Sequence, residues 1–220
     1  MRVQLEKVYL LVGIPFAIMA IASLFLPNEM IWDERIFMPV VKSIGQDYLP
    51  SLDQIRHLKS PLGPVFFIIY GLIGKAFGFS LVALRIFNIA ISYAVCVLVF
   101  KYIKSDVKAP LFLTVLFIIN PYFLIMTAPL VYTDILAMLF VILALTFLKK
   151  DNRIWVGILF GLAVCTRQLM IVFPLALGLV DLWYCYKKQK PLRYLLYDFI
   201  PIIMYLPLIC LLYTSDAADE

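Results

Sequence analysis

Histidine is nearly absent: His57 is the only one in 220 residues. That excludes a site built from several imidazoles, the usual way of holding catalytic zinc. Cysteine is scarce as well. Cys96, Cys165, Cys185 and Cys210 fall in or beside apolar runs, without the spacing of a zinc module or a disulfide framework. They therefore say little about redox compartment. Charge is thin, at 15% of residues against about a quarter in an ordinary soluble domain. No Gly-rich phosphate loop, low-complexity tract or basic-aromatic pattern suited to nucleic acid occurs. Nucleic acid is thus not expected as a partner, and neither a metal nor a cofactor is expected.

What is present is apolar. Hydrophobic residues make up 64% of the chain, in runs that recur along almost its whole length. The fold class this predicts is all-α: a polytopic transmembrane helical protein with no separate soluble domain. Residues 9–26, "YLLVGIPFAIMAIASLFL", are long enough to cross a bilayer core and lack a cleavage site. With Arg2 and Lys7 before them, they read as an uncleaved signal anchor with its N-terminus inside. Further runs cover 61–79, 82–100, 109–128, 129–148, 154–166, 168–186 and 194–212.

Basic residues set the orientation. The clusters Arg2/Lys7, Lys101/Lys104/Lys108, Lys149/Lys150/Arg153 and Lys187/Lys188/Lys190/Arg193 hold 12 of the 19 Lys and Arg. The positive-inside rule puts all four on the cytoplasmic side. The simplest solution has about seven spans, with 61–79 an interfacial helix on the outer side. Two spans within 61–100 are the alternative, and they would put the Lys101–Lys108 loop outside. With the first solution, 27–81 is one outer segment, and the turns near 120–134 and Cys165–Gln168 also face outward. Run 154–166 is short for a full crossing, so Arg167 is expected below the outer surface. An arginine there is costly unless it meets a cavity or a partner.

The last eleven residues, "CLLYTSDAADE", look like no structural element and resemble the in-frame translation of a sequencing adapter. The expected division is a partial transmembrane domain over 1–209 and an adapter-derived tail over 210–220. The natural protein is then expected to be longer. Without the three tail acids the net charge rises from +5 to +8 (19 basic less 11 acidic).

The outer face so defined collects Asp33, Glu34, Arg56, His57, Lys59, Asp134 and Arg167 from three segments. Glycosyl transfer from a lipid-phosphate sugar uses such a set. An acceptor hydroxyl needs a general base as it attacks, and a carboxylate within reach can take the proton. The departing lipid phosphate needs cationic or hydrogen-bond stabilisation, which Arg or Lys can supply without a metal.

Several motifs, in order, carry a resemblance. They are "WDE" at Trp32–Glu34, "LKSPLGPVFF" at Leu58–Phe67, an Arg opening the next span in "FGFSLVALRIFN", and "TD" opening another in "VYTDILAML". The pattern resembles the GT-C superfamily of polytopic glycosyltransferases, which includes protein O-mannosyltransferases and aminoarabinose transferases. It is most similar to the family of the last glucosyltransferase of lipid-linked oligosaccharide assembly. "DERIFMP" at Asp33–Pro39, "LRIFN" at Leu84–Asn88, "YTD" at Tyr132–Asp134 and "TRQLMIVFP" at Thr166–Pro174 match that family's motifs. Asp stands in "YTD" for the family's Glu, and "RQLM" for "RQTN". The likeness covers roughly residues 30–175.

The resemblance implies a glycosyltransferase moving a hexose from a polyprenyl- or dolichyl-phosphate carrier to a glycan, lipid or protein acceptor on the outer or lumenal side. Its location would be the inner membrane of a bacterium or the endoplasmic reticulum of a eukaryote. Asp33 is the expected general base, with Glu34 and Asp134 as further catalytic candidates. Lys59, which matches a phosphate-contacting lysine of the aminoarabinose transferases, is expected to bind donor with Arg56, Arg167 and Gln168.

Each residue also has a plainer reading. Asp33 and Glu34 would be solvated loop charges, and Arg56, His57 and Lys59 snorkelling side chains. Asp134 would cap a helix, Arg167 would be a turn residue, and Arg85 an interfacial anchor. Trp32, Tyr48, Tyr122 and Tyr132 would sit in an aromatic belt. A rival from another class is a transporter or flippase for a lipid-linked or anionic substrate, since an intramembrane arginine and broken helices suit one too.

Overall fold

The structure is a computed structural model that describes residues 2–25, 29–31, 33–47, 50–56, 63–106 and 129–216. Among these residues it is all helical, with no strand. Helix α1 spans Arg2–Phe25, α2 Glu34–Gln46, α3 Leu52–Arg56, α4 Pro64–Ala76 and α5 Leu81–Asp106. Helix α6 spans Thr133–Lys149 and α7 Arg153–Thr166; a 3₁₀ turn over Gln168–Ile171 leads into α8, Val172–Tyr186. Helices α9, Arg193–Asp198, and α10, Ile200–Asp216, complete the described chain.

Among the described residues, three stretches are long and apolar enough to cross a membrane: Leu81–Tyr102, Gln168–Tyr186 and Arg193–Cys210. They correspond to the expected runs 82–100, 168–186 and 194–212. Val12–Phe25, Pro64–Ala76 and Arg153–Thr166 are apolar helices of shorter length. The expected run 109–128 lies outside the described residues. The eleven-residue tail differs from expectation in one respect: α10 continues through it as far as Asp216. Leu211 and Leu212 are good helix formers, and no Gly or Pro follows Pro207 to stop the helix.

Within residues 27–81, expected as one outer segment and with no helix assigned before 61, lies α2. Its buried residues are Glu34, Phe37, Met38, Val41, Ile44 and Gly45. Their spacing is that of one helical face, and that face packs on α4. The two helices approach closely: a Cβ on Gly45 would stand 2.6 Å from the Gly71 carbonyl oxygen. Helix α3 begins with a reciprocal cap. The Ser51 N–H donates to Gln54 Oε1 at 2.8 Å, and the Gln54 N–H donates to Ser51 Oγ at 3.1 Å. Gly63, extended, precedes Pro64 at the start of α4, where a missing N–H costs no helical bond.

Two cores result. The larger gathers α1, α2, α4, α5 and the start of α6 around Phe37, Phe66, Phe67, Tyr70 and Leu84. Its rings meet edge to face, as in Phe37–Phe66 at 5.6 Å and Tyr70–Phe87 at 5.4 Å between centroids. The smaller joins α6 and α7 through Val141, Ala144, Leu159 and Phe160. Gly157 and Gly161 lie one turn apart on α7, and α10 packs against that face. Helix α8 keeps Leu175, Leu179, Leu182 and Trp183 exposed, an apolar surface suited to lipid.

Candidate active site

Glu34 and Arg85 organise the site. Arg85 Nε donates to Glu34 Oε1 at 3.0 Å and Nη2 donates to Oε2 at 2.6 Å. Both side chains have 0% exposure. The same carboxylate accepts from two backbone groups, the Val131 N–H at 3.0 Å and the Ile31 N–H at 3.1 Å. Arg85 Nη2 also donates to the Glu29 carbonyl at 2.9 Å. One carboxylate therefore ties together the segment before α2, the first turns of α5 and the segment before α6. Arg85, read from sequence as an interfacial anchor, is instead a fully buried partner. In a low-dielectric interior such a pair persists because its hydrogen bonds are satisfied.

Asn88 lies one turn beyond Arg85 on the same face of α5. Its Nδ2 donates to the Leu130 carbonyl at 2.7 Å, and the Tyr70 hydroxyl donates to its Oδ1. The loop entering α6 is thus held twice: at Leu130 by Asn88 and at Val131 by Glu34. Sequence reasoning missed both roles. The usable signal was an Arg and an Asn at i and i+3 within an apolar run, where polar side chains are expensive unless paired.

Asp33 is the residue before α2 and its carbonyl accepts from the Phe37 N–H at 2.9 Å. Its side chain makes no capping hydrogen bond, and among the described residues its carboxylate has no hydrogen-bond partner. It is half-buried. The adjacent acids thus differ sharply: Glu34 is fully occupied and Asp33 is open.

Asp134 does not cap α6; the position before that helix is Tyr132, and Asp134 sits in the first turn. There its carboxylate meets Arg167, whose Nη1 donates to Asp134 Oδ2 at 2.6 Å and to Thr133 Oγ1 at 3.2 Å. Arg167 is 30% and Asp134 22% exposed, so this pair faces open space, unlike Glu34–Arg85. Asp33 lies within electrostatic reach of Asp134. The Phe37 and Tyr132 rings, one turn after Asp33 and two residues before Asp134, stand edge to face at 6.4 Å.

Arg167 has extended backbone between α7 and the 3₁₀ turn, so both helical ends stop beside it. Among the described residues only its Nη1 is engaged, leaving Nε and Nη2 open. Gln168 follows, half-buried, with no side-chain hydrogen bond among those residues. Gly63 brings in the fourth segment. A Cβ built on it would lie 1.7 Å from the Cys165 carbonyl oxygen, so glycine alone permits this approach of the α4 start to the α7 end.

The structure thus brings Asp33, Glu34, Asp134, Arg167 and Gln168 together around one end of α5, α6 and α7. Arg56 closes α3. Lys59 and His57 lie outside the described residues, as do Trp32, Tyr48 and Tyr122. Among the described residues no group of three or more His, Cys, Asp or Glu converges as a metal site would. Chemically, the arrangement offers an open carboxylate, a second carboxylate, and a guanidinium with two free donor nitrogens.

Comparison with known proteins adds one match. The sequence model of the DIE2/ALG10 family matches residues 63–193. No curated protein and no solved structure matches the chain.

Proposed function

The chain belongs to the DIE2/ALG10 family, glucosyltransferases of lipid-linked oligosaccharide assembly, and on that premise we propose a mechanism for it. The donor is dolichyl-phosphate glucose, the acceptor a hydroxyl of a lipid-linked glycan, and the site faces the lumen of the endoplasmic reticulum. The acceptor oxygen attacks the anomeric carbon while Asp33 takes the hydroxyl proton. The bond from that carbon to the phosphate oxygen breaks, and the lipid phosphate leaves with the electron pair. A single displacement of this kind inverts the anomeric centre. Arg167 meets the charge that develops on the phosphate through Nε and Nη2, while Asp134 holds the other edge of its fork. Lys59 and Arg56 are proposed as additional phosphate or donor contacts, and Gln168 as a neutral one beside Arg167.

The observation that carries this reading is the contrast between Asp33 and Glu34. A general base needs an unoccupied lone pair within reach of the hydroxyl it deprotonates. Asp33 has one, and Glu34 has spent its oxygens on four donors. A transporter or flippase would more often pair its charges at the midplane of interrupted helices. The half-buried Asp134–Arg167 pair here lies instead at helix ends, at the start of α6 and just past the end of α7.

The test is a donor comparison with the full-length protein in membranes. Labelled dolichyl-phosphate glucose is expected to pass glucose to a lipid-linked oligosaccharide, and UDP-glucose is expected not to. Transfer from UDP-glucose in the absence of the lipid donor overturns the donor assignment.

A further inference from the structure

At the opposite end of α7 from Arg167, a length of about 21 Å for its 14 residues, a second polar cleft opens. It has a volume of about 450 Å³ and is walled by the α6–α7 turn and by α9. Residues from two separate basic clusters, Lys150 with Arg153 and Arg193, line it together with Asp151, Tyr194 and Tyr197. No residue proposed for glucosyl transfer lies in it.

The wall is built rather than incidental. Arg153 is nearly buried and donates through Nη1 to the fully buried Asp181 at 2.5 Å. Lys190 reaches the other oxygen of Asp181 at 2.6 Å. The Arg153 guanidinium also lies 4.5 Å from the Tyr194 ring centroid. The Tyr194 hydroxyl donates to Asp151 Oδ2 at 2.8 Å, and Arg153 Nε approaches the other Asp151 oxygen at 3.3 Å. Tyr194 first, with Arg153, keeps the Asp151 carboxyl below the ordinary carboxylate range. Asp151 and Asp181 thus already have partners.

Two cations do not. Lys150 and Arg193 are exposed, and among the described residues neither forms an ion pair. Lys150 only lies over the Phe147 ring, at 5.6 Å. Ile154, which lines the cleft, is exposed, and so are Trp155, Leu196 and Phe199, which lie within two residues of lining positions in sequence. They are of the kind that meets acyl chains. A cleft with two spare cations at the head and apolar surface beside it suits an amphiphilic anion.

We propose that this cleft binds the phosphate headgroup of an anionic membrane lipid, in the leaflet opposite the glucosyl-transfer site. The positive-inside pattern makes that leaflet the cytoplasmic one. Lys150 and Arg193 contact the phosphate, Tyr197 offers its hydroxyl, and Arg153 with Asp151 fixes the wall.

The test uses the full-length protein in phosphatidylcholine nanodiscs doped with phosphatidylinositol, with retained lipid read by native mass spectrometry. Wild type is expected to retain phosphatidylinositol over phosphatidylcholine. K150Q/R193Q is expected to bind it about thirtyfold more weakly, at about tenfold per 1.4 kcal/mol and about 1 kcal/mol per cation. K187Q/K188Q removes the same charge outside the cleft and is expected to bind as wild type. If the double variant fails to fold, R193Q alone is expected to bind about fivefold more weakly. Equal retention by the cleft variants and wild type overturns the proposal. So does an equal loss in K187Q/K188Q, which would indicate diffuse attraction. Displacement by millimolar inorganic phosphate overturns the lipid as the ligand. No readout depends on glucosyl transfer, so the two assignments fail independently.

Discussion

Arg85 grips Glu34 with both Nε and Nη2, at 3.0 and 2.6 Å, in a place neither side chain shares with solvent. Glu34 directly follows Asp33 in sequence, and its carboxylate holds the segment that leads to Asp134 through the Val131 N–H. Its first consequence concerns stability. Glu34→Ala strands a buried guanidinium and two backbone N–H groups, and is expected to destabilise the protein by about 3–5 kcal/mol. The double replacement Glu34→Met with Arg85→Met removes both charges and is expected to recover much of that loss. Thermal unfolding of the purified variants in detergent checks both. Equal destabilisation by the single and the double variant would show that the charges are not coupled.

Arg167 carries a different expectation because its fork is half used. Arg167→Ala is expected to lower kcat/KM for the lipid donor by about 10²–10³. Arg167→Lys keeps the charge but loses the planar fork, and is expected to recover only part of it. Asp134→Asn keeps a hydrogen-bonding group beside Nη1 but loses its charge, so its loss is expected to be smaller than that of Arg167→Ala. Steady-state kinetics over donor concentration separates these outcomes. A donor dependence unchanged in Arg167→Ala would remove the phosphate assignment.

Gly63 is expected to tolerate no side chain. Gly63→Ala puts a methyl group against the Cys165 carbonyl, where the backbone of α7 has little freedom to move. A destabilisation of about 3 kcal/mol or more is expected, read as a lowered unfolding temperature. Unchanged stability would mean that α4 and α7 are not in the contact described.

The helical class and the motif segments were legible in the sequence because long apolar runs and positive clusters are one-dimensional signals. The meeting of Asp33, Asp134 and Arg167 was legible only as a shared side of the membrane. The family resemblance ranked Asp33 ahead of Glu34 as the base, but the burial of Glu34 against Arg85 was not legible. Adjacent acids look alike in sequence, and only the 100° turn between neighbours in a helix sends Glu34 inward to Arg85 while Asp33 stays outside. The interior role of Arg85 was obscured by its place at the head of a span, where arginines usually snorkel. Helix α2 went unread because Arg35, Lys42 and Pro39 mask a periodicity that Phe37, Val41 and Ile44 carry.

The general-base assignment is tested most directly by Asp33→Asn in the full-length protein, assayed with labelled dolichyl-phosphate glucose and a lipid-linked oligosaccharide acceptor. The substitution keeps size and shape and disturbs no hydrogen bond that Asp33 makes among the described residues. Unfolding temperature is therefore expected to match wild type, while kcat falls by about 10²–10⁴. Undiminished transfer by a folded Asp33→Asn protein would contradict the assignment.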